Sequence, residues 1–132
     1  MKIDPVLPEG WPRPRGYSNA ILVEGASRLL FLAGQIGWDE QERLAEGFLA
    51  QWSQALANIA RLLEAAGASG ENLVRVTVYV TDKRAYMAEL EGVGAAWRTH
   101  LGRTWPAMSL VQVADLLEEG AVVEVEATAV LP

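Results

Sequence analysis

Two glutamates, Glu124 and Glu126, lie one residue apart in Val123-Glu124-Val125-Glu126-Ala127-Thr128 and are the side chains best suited to chemistry. Side chains two apart on a strand share a face, so both carboxylates point the same way. A positioned carboxylate can orient a water and shuttle its protons. Glu124 either lines a cleft or pairs with Arg75 across a sheet; Glu126 reads as structural. Few other reactive groups are on offer. His100 is the single histidine, placed near a helix end where it favours the helix dipole. The absence of cysteine excludes disulfides, thiolate ligands and cysteine nucleophiles. One histidine and scattered carboxylates do not make a transition-metal site. Gly67-Ala68-Ser69-Gly70 lacks the lysine of a phosphate loop. No metal or cofactor is expected.

Elements able to hold these residues are readable from periodicity. Residues 1–16 carry four of the six prolines and no repeat, and read as an extended lead-in. A strand is expected over Ala20–Glu24, a turn at Gly25-Ala26-Ser27, and a returning strand over Arg28–Ala33 that Gly34 and Gly37 end. Phe48, Trp52, Leu56, Ile59, Leu63 and Ala66 recur at helical spacing, with Gln51, Gln54 and Asn58 on the other side and Gly67 as the stop. Leu73–Val80 alternates as a strand, with Arg75, Thr77 and Tyr79 opposite the valines. Asp82 caps a second helix with the stripe Tyr86, Leu90, Val93, Trp97 and Leu101. Strands over 107–113 and 122–130 close the chain, joined through Leu116–Gly120 by a short helical turn. The expectation is one α+β domain over residues 1–132, a mixed sheet with two helices packed on one face. The other face mixes polar residues with apolar ones such as Leu110 and Val130, and a half-apolar face calls for a partner.

Composition narrows the class. A chain of 132 residues with 51% hydrophobic content holds one domain with a real core. The apolar run Leu29–Ala33 is too short to span a bilayer, and no secretory leader is visible behind Met1. A soluble cytoplasmic protein is expected, without a membrane partner. A net charge of −6 disfavours nucleic acid, because such binding relies on Lys and Arg displacing counterions. The basic cluster Arg13-Pro14-Arg15 reads as a solvated loop.

Four separated motifs occur in one order: Gly16-Tyr17-Ser18-Asn19-Ala20, Ala33-Gly34-Gln35-Ile36-Gly37, Trp105-Pro106-Ala107-Met108-Ser109, and the segment around Glu124. Together they resemble the Rid family, the reactive intermediate deaminases also called the YjgF family, over about Tyr17 to Val130. The resemblance implies a chorismate-mutase-like fold and a homotrimer with a central barrel-like core and clefts between subunits. It implies hydrolysis of a reactive enamine or imine, such as 2-aminoacrylate, to a keto acid and ammonia. Carried over by position, Glu124 is the catalytic glutamate, and Tyr17, Gly34 and Ser109 belong to the substrate cleft. Trp105 is placed to wall that cleft.

Met108 stands where deaminating members carry arginine. A thioether cannot replace a planar, permanently charged fork that holds a carboxylate with two hydrogen bonds. Leu90 lies about where many members have asparagine, so the expected pocket is more apolar than a deaminase cleft. Arg28 and Arg103 are the first alternatives for the anion contact. One extra residue between Met108 and Glu124, relative to the commonest spacing, falls in the Leu116–Gly120 loop. The leading expectation is a Rid-like deaminase with an altered substrate. The alternative is a non-catalytic trimer that binds a small molecule in the same clefts. A ribonuclease or translation inhibitor fits least, because the chain is acidic and lacks a histidine pair.

Overall fold

Six strands and three helices follow in the order β1 (Lys2–Val6), β2 (Ala20–Glu24), β3 (Arg28–Ile36), α1 (Phe48–Ala65), β4 (Leu73–Val80), α2 (Lys83–Ala88), α3 (Leu90–Leu101), β5 (Ala107–Gln112) and β6 (Val123–Leu131). This is a computed structural model, describing residues 1–132. The main sheet is four-stranded, ordered β3-β6-β4-β5. β6 runs antiparallel to both β3 and β4, while β4 and β5 are parallel. A parallel pair needs a crossover, which α2 and α3 supply. The result is an α+β fold with a mixed sheet and its helices on one face.

The register of that sheet explains its two faces. Val76, Val78 and Val80 of β4 pair with Ala127, Val125 and Val123 of β6. These six residues, with Leu32, form a buried core against Trp52, Ala55, Leu56, Ile59 and Leu63 of α1. On the opposite face Tyr79 stands beside Glu124, Thr77 beside Glu126, and Arg75 beside Thr128. Alternation in β4 and β6 therefore turns these valines and Ala127 toward the helices, while Val130 keeps the parity of Glu124 and Glu126. α1 stops at Ala66, and Gly67 follows at φ 76°, a left-handed conformation that glycine adopts without strain.

Several expectations are corrected. The lead-in contains a strand: β1 pairs with β2 in a separate two-stranded ribbon, so β3 does not return along β2. Pro5 misled the periodicity; on an outer strand its missing N–H costs no ladder bond. β3 continues through Gly34 to Ile36, because a register shift between Leu32 and Gln35 absorbs the irregularity as a bulge. The second helix is two, broken at Glu89, whose φ of −123° is not helical. Leu90 is exposed rather than part of a buried stripe. Leu110 faces the helices, since it pairs with Val78 and packs against the core. No helical turn forms between Leu116 and Gly120.

Gln51 is likewise buried, at 4% exposure, rather than solvated. Its amide donates to the carbonyls of Ala45 and Gly120 and accepts the N–H of Val122, tying three loop ends to α1. A polar side chain inside is tolerated where its donors and acceptor are satisfied. No helix is long and apolar enough to cross a membrane.

Candidate functional site

Glu124 and Gly34 meet on the open face of the sheet. β6 carries Glu124 opposite Tyr79, and the bulge of β3 brings Gly34 beside it. A Cβ added at Gly34 would lie 2.7 Å from the carboxyl carbon of Glu124 and 2.9 Å from its Cγ. Glycine is thus the residue that leaves this carboxylate its place. Glu124 is half-buried and forms no ion pair; the two ion pairs of the chain are Asp39–Arg43 and Glu40–Arg61. The pairing of Glu124 with Arg75 does not form. Glu126 instead accepts a hydrogen bond of 2.7 Å from the Tyr79 hydroxyl. That bond, followed by burial and the nearby negative charges of Glu126 and Glu124, raises the Tyr79 phenol above its ordinary value.

Tyr17 and Trp105 form a second grouping at the β5 end of the sheet. The Ser18 N–H donates to the Pro106 carbonyl at 3.0 Å, and the Ser18 hydroxyl donates to the Trp105 carbonyl. These two bonds dock the proline-rich loop against the start of β5. Between loop and strand lies a cavity of about 630 Å3 lined by Arg13, Arg15, Tyr17 and Trp105 together with Val6 at the end of β1 and Leu7 just beyond it. Both arginines of the cluster read as solvated loop thus face a cavity. Tyr17 is 40% exposed and Trp105 51%, so neither is committed to packing.

Met108 belongs to a third grouping, on the helix side. It pairs with Val76 and packs against the core. With Trp105, Leu90 and Trp97 it lines a cavity of about 400 Å3 that also takes in Arg15, Arg98 and Arg103. The cavity rests on an aromatic floor. Trp52 meets Tyr86 edge-on at 6.0 Å and stacks with Trp97 at 6.5 Å. Two indole N–H groups are spent on carbonyls, Trp52 on Val93 and Trp97 on Thr104, which fixes both rings. Burial raises the Tyr86 phenol above its ordinary value.

The residues singled out by sequence therefore divide. Glu124, Gly34 and Ser109 belong to the open face, Ser109 being exposed beside Thr77. Met108 lies on the opposite face, and Tyr17 and Trp105 at the β5 edge. Of the two arginines suggested for the anion contact, Arg103 shares the cavity of Met108, whereas Arg28 donates to the carbonyl of Pro132. Sequence reasoning passed over Arg98, whose place on the outer side of α3 carried no signal. His100 bonds to the Ser53 hydroxyl at 3.0 Å, a helix-to-helix tie rather than a site. No group of three or more His, Cys, Asp or Glu residues is gathered to hold a metal ion.

The family model described as Endoribonuclease L-PSP matches residues 12–131. The chain belongs to the Rid family. A solved structure described as a protein of unknown function of the conserved Rid family, YyfB from Yersinia pestis, superimposes with a TM-score of 0.85 and 31% identity, covering 99% of this chain and all of that one. A protein of Capra hircus named 2-iminobutanoate/2-iminopropanoate deaminase is 34% identical over 116 residues, 86% of this Rid protein and 79% of the relative. A RutC family protein of Aquifex aeolicus is 44% identical over 77 residues, and that match spans 57% of this chain and 59% of the relative. The Rid fold and the carboxylate seated over Gly34 thus come together in one chain.

Proposed function

We propose that this Rid protein deaminates a reactive enamine or imine by hydrolysis, with Glu124 as the acid/base that positions the attacking water. The observation that carries the reading is the half-buried, unpaired carboxylate of Glu124 held over Gly34 on the open sheet face. The imine carbon is already electrophilic, so the protein has only to hold substrate and water in line and to move protons. Water adds to the carbon, Glu124 takes its proton and returns it to nitrogen, and ammonia leaves as the keto group forms. Names of relatives that are imine deaminases support the same chemistry.

The proposed site lies between subunits of a homotrimer. Glu124 and Met108 point to opposite faces of one sheet, so no single chain can bring both to one substrate. A cleft that contains both needs Glu124 from one subunit and the cavity of Met108 and Trp105 from its neighbour. The open face supports association: Leu29 and Phe31 are 62% and 74% exposed there. Closed symmetric assembly is the usual way to cover such a face.

The test is ammonia release from freshly generated 2-aminoacrylate and 2-iminobutanoate, and from bulkier imines, by the wild type and by Glu124→Gln. Acceleration over the spontaneous rate that disappears in Glu124→Gln is the expected result. A wild type that binds these products but accelerates no imine would instead make the protein a small-molecule-binding trimer, the reading that Met108 in the place of the family arginine favours.

A further inference from the structure

The cavity behind Met108 is sorted by charge. Three arginines line it, Arg15, Arg98 and Arg103, and no aspartate or glutamate does. This happens in a chain with 17 acidic and 11 basic residues. None of the three guanidiniums is in an ion pair, and none donates a hydrogen bond within the chain. Arg98 lies close to its own helix. One of its terminal nitrogens would lie 3.2 Å from a Cβ on Gly94, so the bare backbone there lets the guanidinium lie along α3, at the cavity wall. Apolar and aromatic side chains, Leu90, Trp97, Trp105 and Met108 among them, make up much of the rest of the wall, which also includes Thr104.

We infer that this cavity binds a carboxylate with a bulky, flat apolar body, and that Arg98 and Arg103 supply the anion contact. Free guanidiniums facing an acid-free cavity lower the energy of an anion there, and the fork geometry suits a carboxylate. Rigid tryptophan faces and an adaptable methionine accept an aromatic body. A volume of about 400 Å3 lies in the range of small-molecule pockets, larger than a three- or four-carbon acid fills. The inference rests on the deaminase reading only in treating this cavity as half of the cleft; it then names the substrate class as an aromatic or similarly bulky 2-imino acid.

Calorimetric titration of the assembled protein with three unreactive probes tests it without turnover. The probes are 3-phenylpropanoate, which has body and charge, propanoate, which has charge alone, and 3-phenylpropanamide, which has body alone. 3-Phenylpropanoate is expected to bind at least about tenfold more tightly than either of the others, the factor that one charge-assisted contact supplies. Arg98→Gln and Arg103→Gln, both at exposed positions, are expected to lose that advantage for the acid and to leave the amide unchanged. Equal affinity for acid and amide, or propanoate as tight as its phenyl derivative, would overturn the inference. Discrimination among the probes by a protein that releases no ammonia from any imine would refute the deaminase reading and leave this one standing. Rapid turnover of 2-iminobutanoate with no preference for the aromatic acid would do the reverse.

Discussion

Replacing Gly34 by alanine separates the seat of Glu124 from the fold around it. The added methyl would lie 2.7 Å from the Glu124 carboxyl carbon and 2.9 Å from its Cγ, closer than real Cβ contacts allow. Something must give, and the flexible end of Glu124 is what stands in the way. Gly34 does not have a positive φ, so alanine fits its backbone. The cost to the fold is then an off-rotamer glutamate, about 0.5–1.5 kcal/mol. Against it stands the reduced entropy of the unfolded chain, about 0.4–1 kcal/mol in favour of alanine. Unfolding stability is therefore expected to change by less than about 1 kcal/mol. Catalysis is expected to suffer far more. A displaced acid/base forfeits the roughly 10²- to 10⁴-fold that a positioned proton carrier contributes. The assay is ammonia release from fresh 2-aminoacrylate by wild type, Gly34→Ala, Glu124→Gln and the double variant, beside urea denaturation of each. Both single variants should be impaired to a similar degree, and the double variant should be no worse than either, because both changes remove one function. Fully multiplicative losses, or an active Glu124→Gln beside an inactive Gly34→Ala, would refute the reasoning.

Three further outcomes are expected. Gln51→Leu should destabilise the chain by about 3 kcal/mol or more in urea denaturation, since it strands the carbonyls of Ala45 and Gly120 and the N–H of Val122. Phe31→Glu should shift sedimentation equilibrium from the proposed trimer toward monomer, because it puts a charge on the exposed apolar part of the open face. The raised Tyr79 phenol means that the folded protein holds this proton more tightly than the unfolded chain. Its contribution is complete below the ordinary value of 10.0 and is lost as pH rises through the higher folded value. Thermal unfolding measured across that alkaline range should show a shallower fall for Tyr79→Phe than for the wild type.

How much was legible follows from how local each signal is. The alternation in Leu73–Val80 and around Glu124 was readable because each strand has one face on the core, which fixes every second residue. The helical repeat from Phe48 was readable for the same reason, but it could not show Gln51 turning inward, because its partners at Ala45, Gly120 and Val122 lie in loops. β1 escaped because a two-stranded ribbon with Pro5 carries little pattern. The motifs singled out Glu124, Gly34, Tyr17, Trp105 and Met108 one by one. Their division between two faces was hidden, because it depends on the registers of β5 against β4 and of β6 against β4. The arginine cavity was hidden too, since Arg98 and Arg103 sit at the end of α3 while Arg15 comes from a distant loop whose neighbour Ser18 docks against the start of β5.

The central claim is deamination at a cleft shared by two subunits, and mixing two impaired variants tests it most directly. Glu124→Gln removes the proton carrier, and Trp105→Ala removes the wall common to both cavities of the neighbouring subunit. Each alone should release ammonia from 2-iminobutanoate far more slowly than the wild type. Refolded together in equal amounts, they should give mixed assemblies, and in the proposed trimer about a quarter of the shared sites then have both residues intact, by random assembly around a three-fold ring. Recovery to about that fraction of wild-type ammonia release is the predicted result; a mixture as slow as its separate components would contradict a shared site.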